Sequence, residues 1–271
     1  MKRIGLLALV AVALAGIATT AFAQQYRERP QAYDRSGRQG RTYTPGVFDY
    51  YALALSWSPT YCASIGEERY DPQCQGRGGR RYAFVLHGLW PQFEQRWPQD
   101  CQSPDNGYVP EQVAQRMLDI MPSKRLIFHE YRKHGTCSGL DVDSYFDLAR
   151  RMFETVRIPE RYLALADDRL FVSVDELKRE FMAANPKLAP DMFVVECGNP
   201  GPRLKEVRVC MDKAGGFRTC GRNEDQRRLC SADRIYVPPV RAGGGGAQDG
   251  GFDRRSTRQS TPQTDLLPGP R

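Results

Sequence analysis

FHEYRKHGTC, residues 128–137, lies near the middle of the 271-residue chain and holds two of its three histidines, His129 and His134, beside Glu130, Lys133 and Cys137. Ser123 is a candidate cap for a helix starting at Lys124, and Gly135 suits the left-handed residue that ends one, so FHEYRKH reads as the last two turns. On that helix His129 and Lys133 are four apart, as are Glu130 and His134, which predicts four side chains sharing one face. Three uses compete for that face: a metal site, acid/base chemistry, or plain solvation. The HExxH zinc pattern needs histidines four apart; these are five apart, about 100° further round the helix, and Lys133 puts a cation where the dication would sit. No metal is therefore expected. Lys133 and a protonated His129 can instead hold a phosphate, with the negative end of the helix dipole favouring protonatable imidazoles. His134 beside Glu130 is placed to carry a proton. Read alone, the segment fits a solvated surface helix equally well.

Outward from this helix, strand-like runs occur at 50–57 (YYALALSW), 82–86 (YAFVL), 192–197 (MFVVEC), 206–211 (EVRVCM) and 235–237. The middle of the chain is helical. Pro110 opens a pattern with Val113, Met117, Leu118 and Met121 at helical spacing; Ser173 to Glu176 is a capping box ahead of Leu177 and Phe181; a third helix is expected from about Val142 to Val156. Strands at both ends and helices between them predict an α+β domain, a central, mostly antiparallel sheet packed by helices, rather than a doubly wound one. No internal repeat is present.

The flanks are of another kind. Met1-Lys2-Arg3, an apolar run to about Ile17 and Ala21-Phe22-Ala23 read as a signal peptide cleaved after Ala23, and the apolar run is short for a membrane anchor. The expectation is an exported protein, periplasmic or secreted, with no membrane anchor. Residues 24–46 and 241–271 are rich in Gly, Arg, Gln, Ser and Pro and poor in aliphatics, and read as disordered tails around a catalytic-sized domain at 47–240. Of the formal charge of +7, the signal holds +2, residues 24–46 +3 and residues 241–271 +2, so the domain itself has no net charge and is not a polyanion binder by composition. All eight cysteines follow the signal; in an oxidising compartment they suit four disulfides, and no CxxC is present for zinc or redox use.

The third histidine changes the balance of the first segment. It stands at the end of the run YAFVL, in His87-Gly88-Leu89-Trp90-Pro91-Gln92, followed by a glycine that permits a close turn. A lone histidine at a strand end is usually structural, but HGLWP together with HEYRKHGTC is far more specific than either alone. With SWSPTYC at 56–62, which is similar to the family's first core strand and the loop after it, these segments resemble the ribonuclease T2 endoribonucleases over roughly 48–237.

The resemblance implies a metal-independent enzyme without cofactor that cleaves single-stranded RNA through a 2′,3′-cyclic phosphate, with little base preference. His134 would be the base and His87 the acid, Lys133 and Glu130 would support the transition state, and His129 would hold the phosphate. Chemistry asks for the same set: a base for the 2′-hydroxyl, an acid for the departing 5′-oxygen, and donors for the added charge. A bell-shaped pH profile on the acid side of neutrality follows, and DNA, lacking the 2′-hydroxyl, is not cleaved. Trp90 would be a base-stacking platform, core packing being its other reading, with Gln92 standing where some relatives have an acidic residue and Trp97 a further candidate. The implied disulfides are Cys101–Cys137, Cys197–Cys230 around Cys210–Cys220, and Cys62–Cys74. The expected partner is RNA and the expected state a monomer. Two other readings remain open: an exported RNA-binding protein on the same fold without catalysis, and an exported zinc peptidase.

Overall fold

The computed structural model describes residues 43–66, 70–75, 81–166, 169–198 and 201–240; the signal, the Arg-rich tail and most of the linker lie outside them. Strand β1, Tyr50–Trp57, alternates large and small side chains: Tyr51, Leu53, Leu55 and Trp57 on one face, Ala52, Ala54 and Ser56 on the other. All but Ser56 are buried, because both faces of this strand are covered. Among the described residues six strands form one sheet in the order β2-β1-β5-β6-β3, with β4 pairing β5. Here β2 is Phe84–Gln92, β3 Phe171–Val172, β4 Phe193–Gly198, β5 Arg203–Met211 and β6 Ile235–Tyr236. Every pairing is antiparallel except the short parallel contact of β5 with β6.

The helices between these strands are α1 (Ser58–Ile65), α2 (Pro72–Gln75), α3 (Glu111–Met117), α4 (Lys124–Lys133), α5 (Val142–Thr155), α6 (Val174–Ala184) and α7 (Gln226–Leu229). Of the capping box expected at α6 the serine half forms, the Ser173 hydroxyl accepting the Glu176 amide at 3.0 Å, while the Glu176 carboxylate pairs with Arg161. Asp141 caps α5 in the same way. Helix α5 presents Tyr145, Phe146, Ala149 and Met152 inward, and its Tyr145 hydroxyl donates to the Leu89 carbonyl of β2. Trp57, Phe84, Tyr162, Phe181 and Phe193 make an edge-to-face and tilted aromatic cluster in the core.

Four expectations shift. SWSPTYC is a strand that passes directly into helix α1, with Pro59 in the first turn, rather than into a loop. The helix opened by Pro110 stops at Met117, leaving Leu118 as its cap and Met121 in the turn beyond. The second strand runs on through the HGLWP motif to Gln92, so His87 is inside a strand and not at its end. The domain also begins earlier than Val47: Tyr43 packs on Phe93, and the Gly46 amide donates to the Cys137 carbonyl at 3.0 Å.

Four disulfides close the frame: Cys62–Cys74, Cys101–Cys137, Cys197–Cys230 and Cys210–Cys220, the pairing that the resemblance implied. Cys101–Cys137 spans 36 residues of sequence and ties the loop after β2 to the turn after α4, where the Asp100 amide also donates to the Lys133 carbonyl.

Candidate active site

His87 owes its position to a fault in the β1–β2 ladder. Ala54 faces Gly88 and Leu55 faces Leu86, so His87 is an extra residue in a β-bulge, which re-aims its side chain out of the regular alternation. Gly88 does not serve a turn. A Cβ there would collide with the Glu130 carboxylate and the Trp90 indole nitrogen, so glycine lets helix α4 close on the strand. Gly135 is glycine for a similar reason: a Cβ would meet the rings of Tyr131 and Tyr145, and the left-handed residue is Gly139, at the end of the 3-10 turn 135–138.

The four side chains of the HEYRKH helix do not share one face. Glu130 is buried, 2 % exposed, and points under the strand, whereas His129 is exposed and Lys133 half-buried. His134 has left helical geometry as the cap of α4, its amide still bonded to the Glu130 carbonyl at 2.9 Å, and is 8 % exposed. Ser123 starts the helix at the expected residue, but its hydroxyl caps nothing; it lines a cavity instead.

The two imidazoles meet on one indole. The His87 ring centroid lies 5.2 Å from that of Trp90, edge-on, and the His134 centroid 5.3 Å from it at a 35° tilt. Arg208 lies over the same indole at 5.1 Å, and the indole N–H donates to Glu130 at 2.6 Å. Trp90 thus has both histidines, Arg208 and Glu130 as its neighbours, and the ring remains partly exposed. Gln92 is committed: it is 3 % exposed, and its amide oxygen accepts from Asn223. Trp97, on the loop after β2, is 46 % exposed and keeps a ring open to solvent.

Burial and charge separate the titrations of the histidines. Burial pushes His134 down, with the neighbouring Lys133, His87 and His129 adding to the effect, to about 3. Its Nδ1 is buried with no hydrogen-bond partner. For His87 burial acts in the same direction but is outweighed by Glu206, 2.6 Å from Nδ1, and by Glu130, 3.6 Å from Nε2, so its pKa is raised. Glu206 is buried and would be pushed up by that alone; His87 and Arg208, which donates to it at 2.7 Å, pull it down to about 2. Glu130, without an arginine beside it, is raised by burial. His129 moves downward through partial burial, Lys133 and Arg132, against the helix-dipole expectation of a protonated ring.

Sequence reasoning missed Glu206 and Arg208. Both sit in the strand run EVRVCM, and the available signal was a pair of opposite charges two apart, on one face of an otherwise apolar strand. A cavity of about 380 Å³ adjoins His87 and Glu206, lined further by Ser56, Tyr61, Gln73 and Ser123. Among the described residues, no group of three or more His, Cys, Asp or Glu side chains is gathered to hold a metal ion.

Comparisons with known proteins agree with this architecture. The model of the Ribonuclease T2 family matches residues 48–220. "Ribonuclease" of Aeromonas hydrophila is 40 % identical over 190 residues, covering 68 % of this chain and 80 % of that protein. "Ribonuclease 3" of Arabidopsis thaliana is 33 % identical over 64 % of this chain and 83 % of its own length. The crystal structure of RNase NT in complex with 5′-AMP superposes with a TM-score of 0.52 at 23 % identity, over 71 % of this chain and 99 % of that one, a likeness of fold. The chain belongs to the ribonuclease T2 family and is an endoribonuclease acting on RNA.

Proposed function

We propose that this enzyme cleaves single-stranded RNA without a metal, by transphosphorylation between His134 and His87. His134 takes the proton of a 2′-hydroxyl, the 2′-oxygen attacks phosphorus, and the P–O5′ bond breaks as His87 gives its proton to the leaving oxygen. The products are a 2′,3′-cyclic phosphate and a 5′-hydroxyl. Hydrolysis of the cyclic ester follows with water in place of the leaving group and the two roles exchanged. Lys133 and His129, on the open side of α4, hold the phosphate and meet its added charge, and Glu130 supports the step by fixing the Trp90 indole and facing His87.

The observation that carries this reading is the opposite electrostatic state of two imidazoles on one indole. His134 is kept neutral and has a ring nitrogen without a partner, as a base requires; His87 is kept protonated between two carboxylates, as an acid requires. The cavity beside His87 is of ligand-site size and can receive the nucleoside on the leaving side, and exposed Trp97 offers a ring to the other base without demanding one sequence. RNase NT, of the same fold, was crystallised with 5′-AMP, which supports a nucleotide-shaped site. The histidines also argue against a zinc peptidase: one is buried against Trp90 while its neighbour in the motif is exposed.

Export to the periplasm or medium is the proposed location, supported by the N-terminal signal pattern and by four disulfides, which persist in oxidising compartments. Among the described residues no helix is long and apolar enough to cross a membrane. Every group assigned a role comes from one chain, so a monomer suffices.

The test is cleavage of mixed-sequence RNA at pH 5 to 7 in excess EDTA, comparing wild type with His87→Ala and His134→Ala. Wild type should give cyclic phosphate ends, and each variant should fall by at least ~10²-fold. Loss of wild-type activity on chelation, or a variant as active as wild type, would overturn the proposal. The pH profile should be a bell: the rate rises as pH climbs through about 3, where His134 loses its proton, and falls above the ordinary histidine range, where His87 loses its own.

A further inference from the structure

His87 and Glu206 are two strands apart in the sheet, with β1 between them. Ser56 of β1 faces Val85 on one side and Glu206 on the other, and Ala54 faces Gly88 and Arg208. Residues directly opposite in antiparallel strands project to the same face, and beyond Tyr50 at its start β1 offers only Ala52, Ala54 and Ser56 there. Over this row of small residues the side chains of β5 reach across to β2: Glu206 to the His87 Nδ1 and Arg208 to the face of Trp90. A larger residue at 54 or 56 would block the path.

The carboxylate that arrives is fixed from behind. Arg208 donates through Nε to Glu206 and through its other end to Glu196, which also pairs with Lys205. Glu206 is 2 % exposed, and a buried carboxylate without a partner would be strongly disfavoured, so the arginine keeps it charged. The other charged and titratable groups acting on His87 are Glu130, His129 and His134, all from α4 and its cap. Of the two carboxylates, only Glu206 has an arginine, and it meets the nitrogen turned away from Glu130.

We propose that Glu206, anchored by Arg208, is a positioning residue for the acid step: it accepts the Nδ1–H of His87, turns Nε2 toward the scissile phosphate, and holds the proton there until the 5′-oxygen departs. This rests on the assignment of His87 as the acid. The Nδ1–H tautomer follows directly, because a charged carboxylate accepts but cannot donate. After the proton leaves Nε2, the neutral ring remains oriented, ready to take a proton from water in the hydrolytic step.

The test uses the full chain with ¹⁵N-labelled histidine; three histidines give three resolvable rings. In wild type the neutral form of His87 should carry its hydrogen on Nδ1; a hydrogen on Nε2 would overturn the proposal without any variant being made. In Glu206→Gln, the His87 titration and the alkaline limb of kcat/KM should move together to lower pH, with KM little changed and the rate on that limb about tenfold lower for each unit moved. On a uridine 3′-aryl phosphate, whose leaving group needs no proton, Glu206→Gln should match wild type. Equal loss on RNA and on the aryl ester would make Glu206 a structural residue and refute the proposal, as would an unmoved His87 titration. If Glu206→Gln does not fold, Glu206→Asp serves the same measurements, with a smaller shift expected in the same direction. Should His87→Ala cleave RNA normally while the Glu206 coupling is present in the spectra, the assignment of His87 as acid has failed and the contact has not.

Discussion

His87 and His134 are the same side chain in two different environments, each in contact with one indole. His87 stands on a strand, partly exposed, with a buried carboxylate near each ring nitrogen. His134 stands at a helix end, buried, among cations and other imidazoles, and with one nitrogen unpartnered. The difference teaches that the protein does not tune histidine by one means. It charges one ring by supplying two carboxylates, Glu206 from another strand and Glu130 from the helix, and keeps the other neutral by withholding them.

The sharpest way to break this comparison is a substrate that needs only one of the two. On RNA, His87→Ala and His134→Ala should each lose at least ~10²-fold in kcat/KM. On an aryl phosphodiester His87→Ala should recover most of that loss, and His134→Ala none; equal recovery would show that the roles are not divided as the geometry divides them. Next in size is the bridge on the helix side. Removing Cys101–Cys137 as the double alanine variant should cost about 4 kcal/mol in urea unfolding, from the loop it closes. It should also lower kcat, while the His87 titration, held by β5, stays where it was.

A third prediction concerns pH and stability. The folded His134 refuses a proton down to about 3, whereas the unfolded ring binds one below about 6.5, so between those values the unfolded state holds more protons and stability rises with pH. His134→Leu should flatten that slope, by on the order of a few kcal/mol over the interval. His87 tilts the other way: its raised pKa contributes stability that is full below about 6.5 and lost as pH climbs through the folded value. Urea midpoints of His87→Gln and His134→Leu across pH 3 to 8 should therefore diverge in sign, and parallel curves would break the comparison. The smallest effect is expected at Gly88→Ala, which should cost roughly 1–3 kcal/mol by forcing Glu130 and Trp90 aside. Activity should fall in proportion to how far Glu130 moves.

Much of this arrangement was legible in advance because it is local. YYALALSW, the cap at Ser173 and the length of α5 are set by neighbours in sequence, and they form where periodicity puts them. The motif around His129 to Cys137 likewise gave a helix that starts and stops within a residue of expectation. What stayed hidden depends on partners far away in the chain. The bulge at His87 exists only relative to β1, the burial of Glu130 only relative to Gly88, and the service of Glu206 to His87 joins residues 119 apart. The contacts of Trp90 with Arg208 and of Gln92 with Asn223 were hidden for the same reason, since those partners lie more than a hundred residues on.

The bulge at His87 also has a bearing on length. On either side of it the β1–β2 ladder is regular, with Phe84 to Leu86 in one phase and Gly88 to Gln92 in the other. Deleting the single residue between Leu86 and Gly88 would make the ladder continuous without altering any other side chain, and His87, the proposed acid, would vanish as a matter of counting. Inserting one would widen the bulge or slip the register beyond it by one, and the slip would turn Trp90 to the opposite side of the sheet. In this segment the spacing of residues is therefore under the same constraint as their identity, and variation by length should be as damaging here as the loss of the histidine itself.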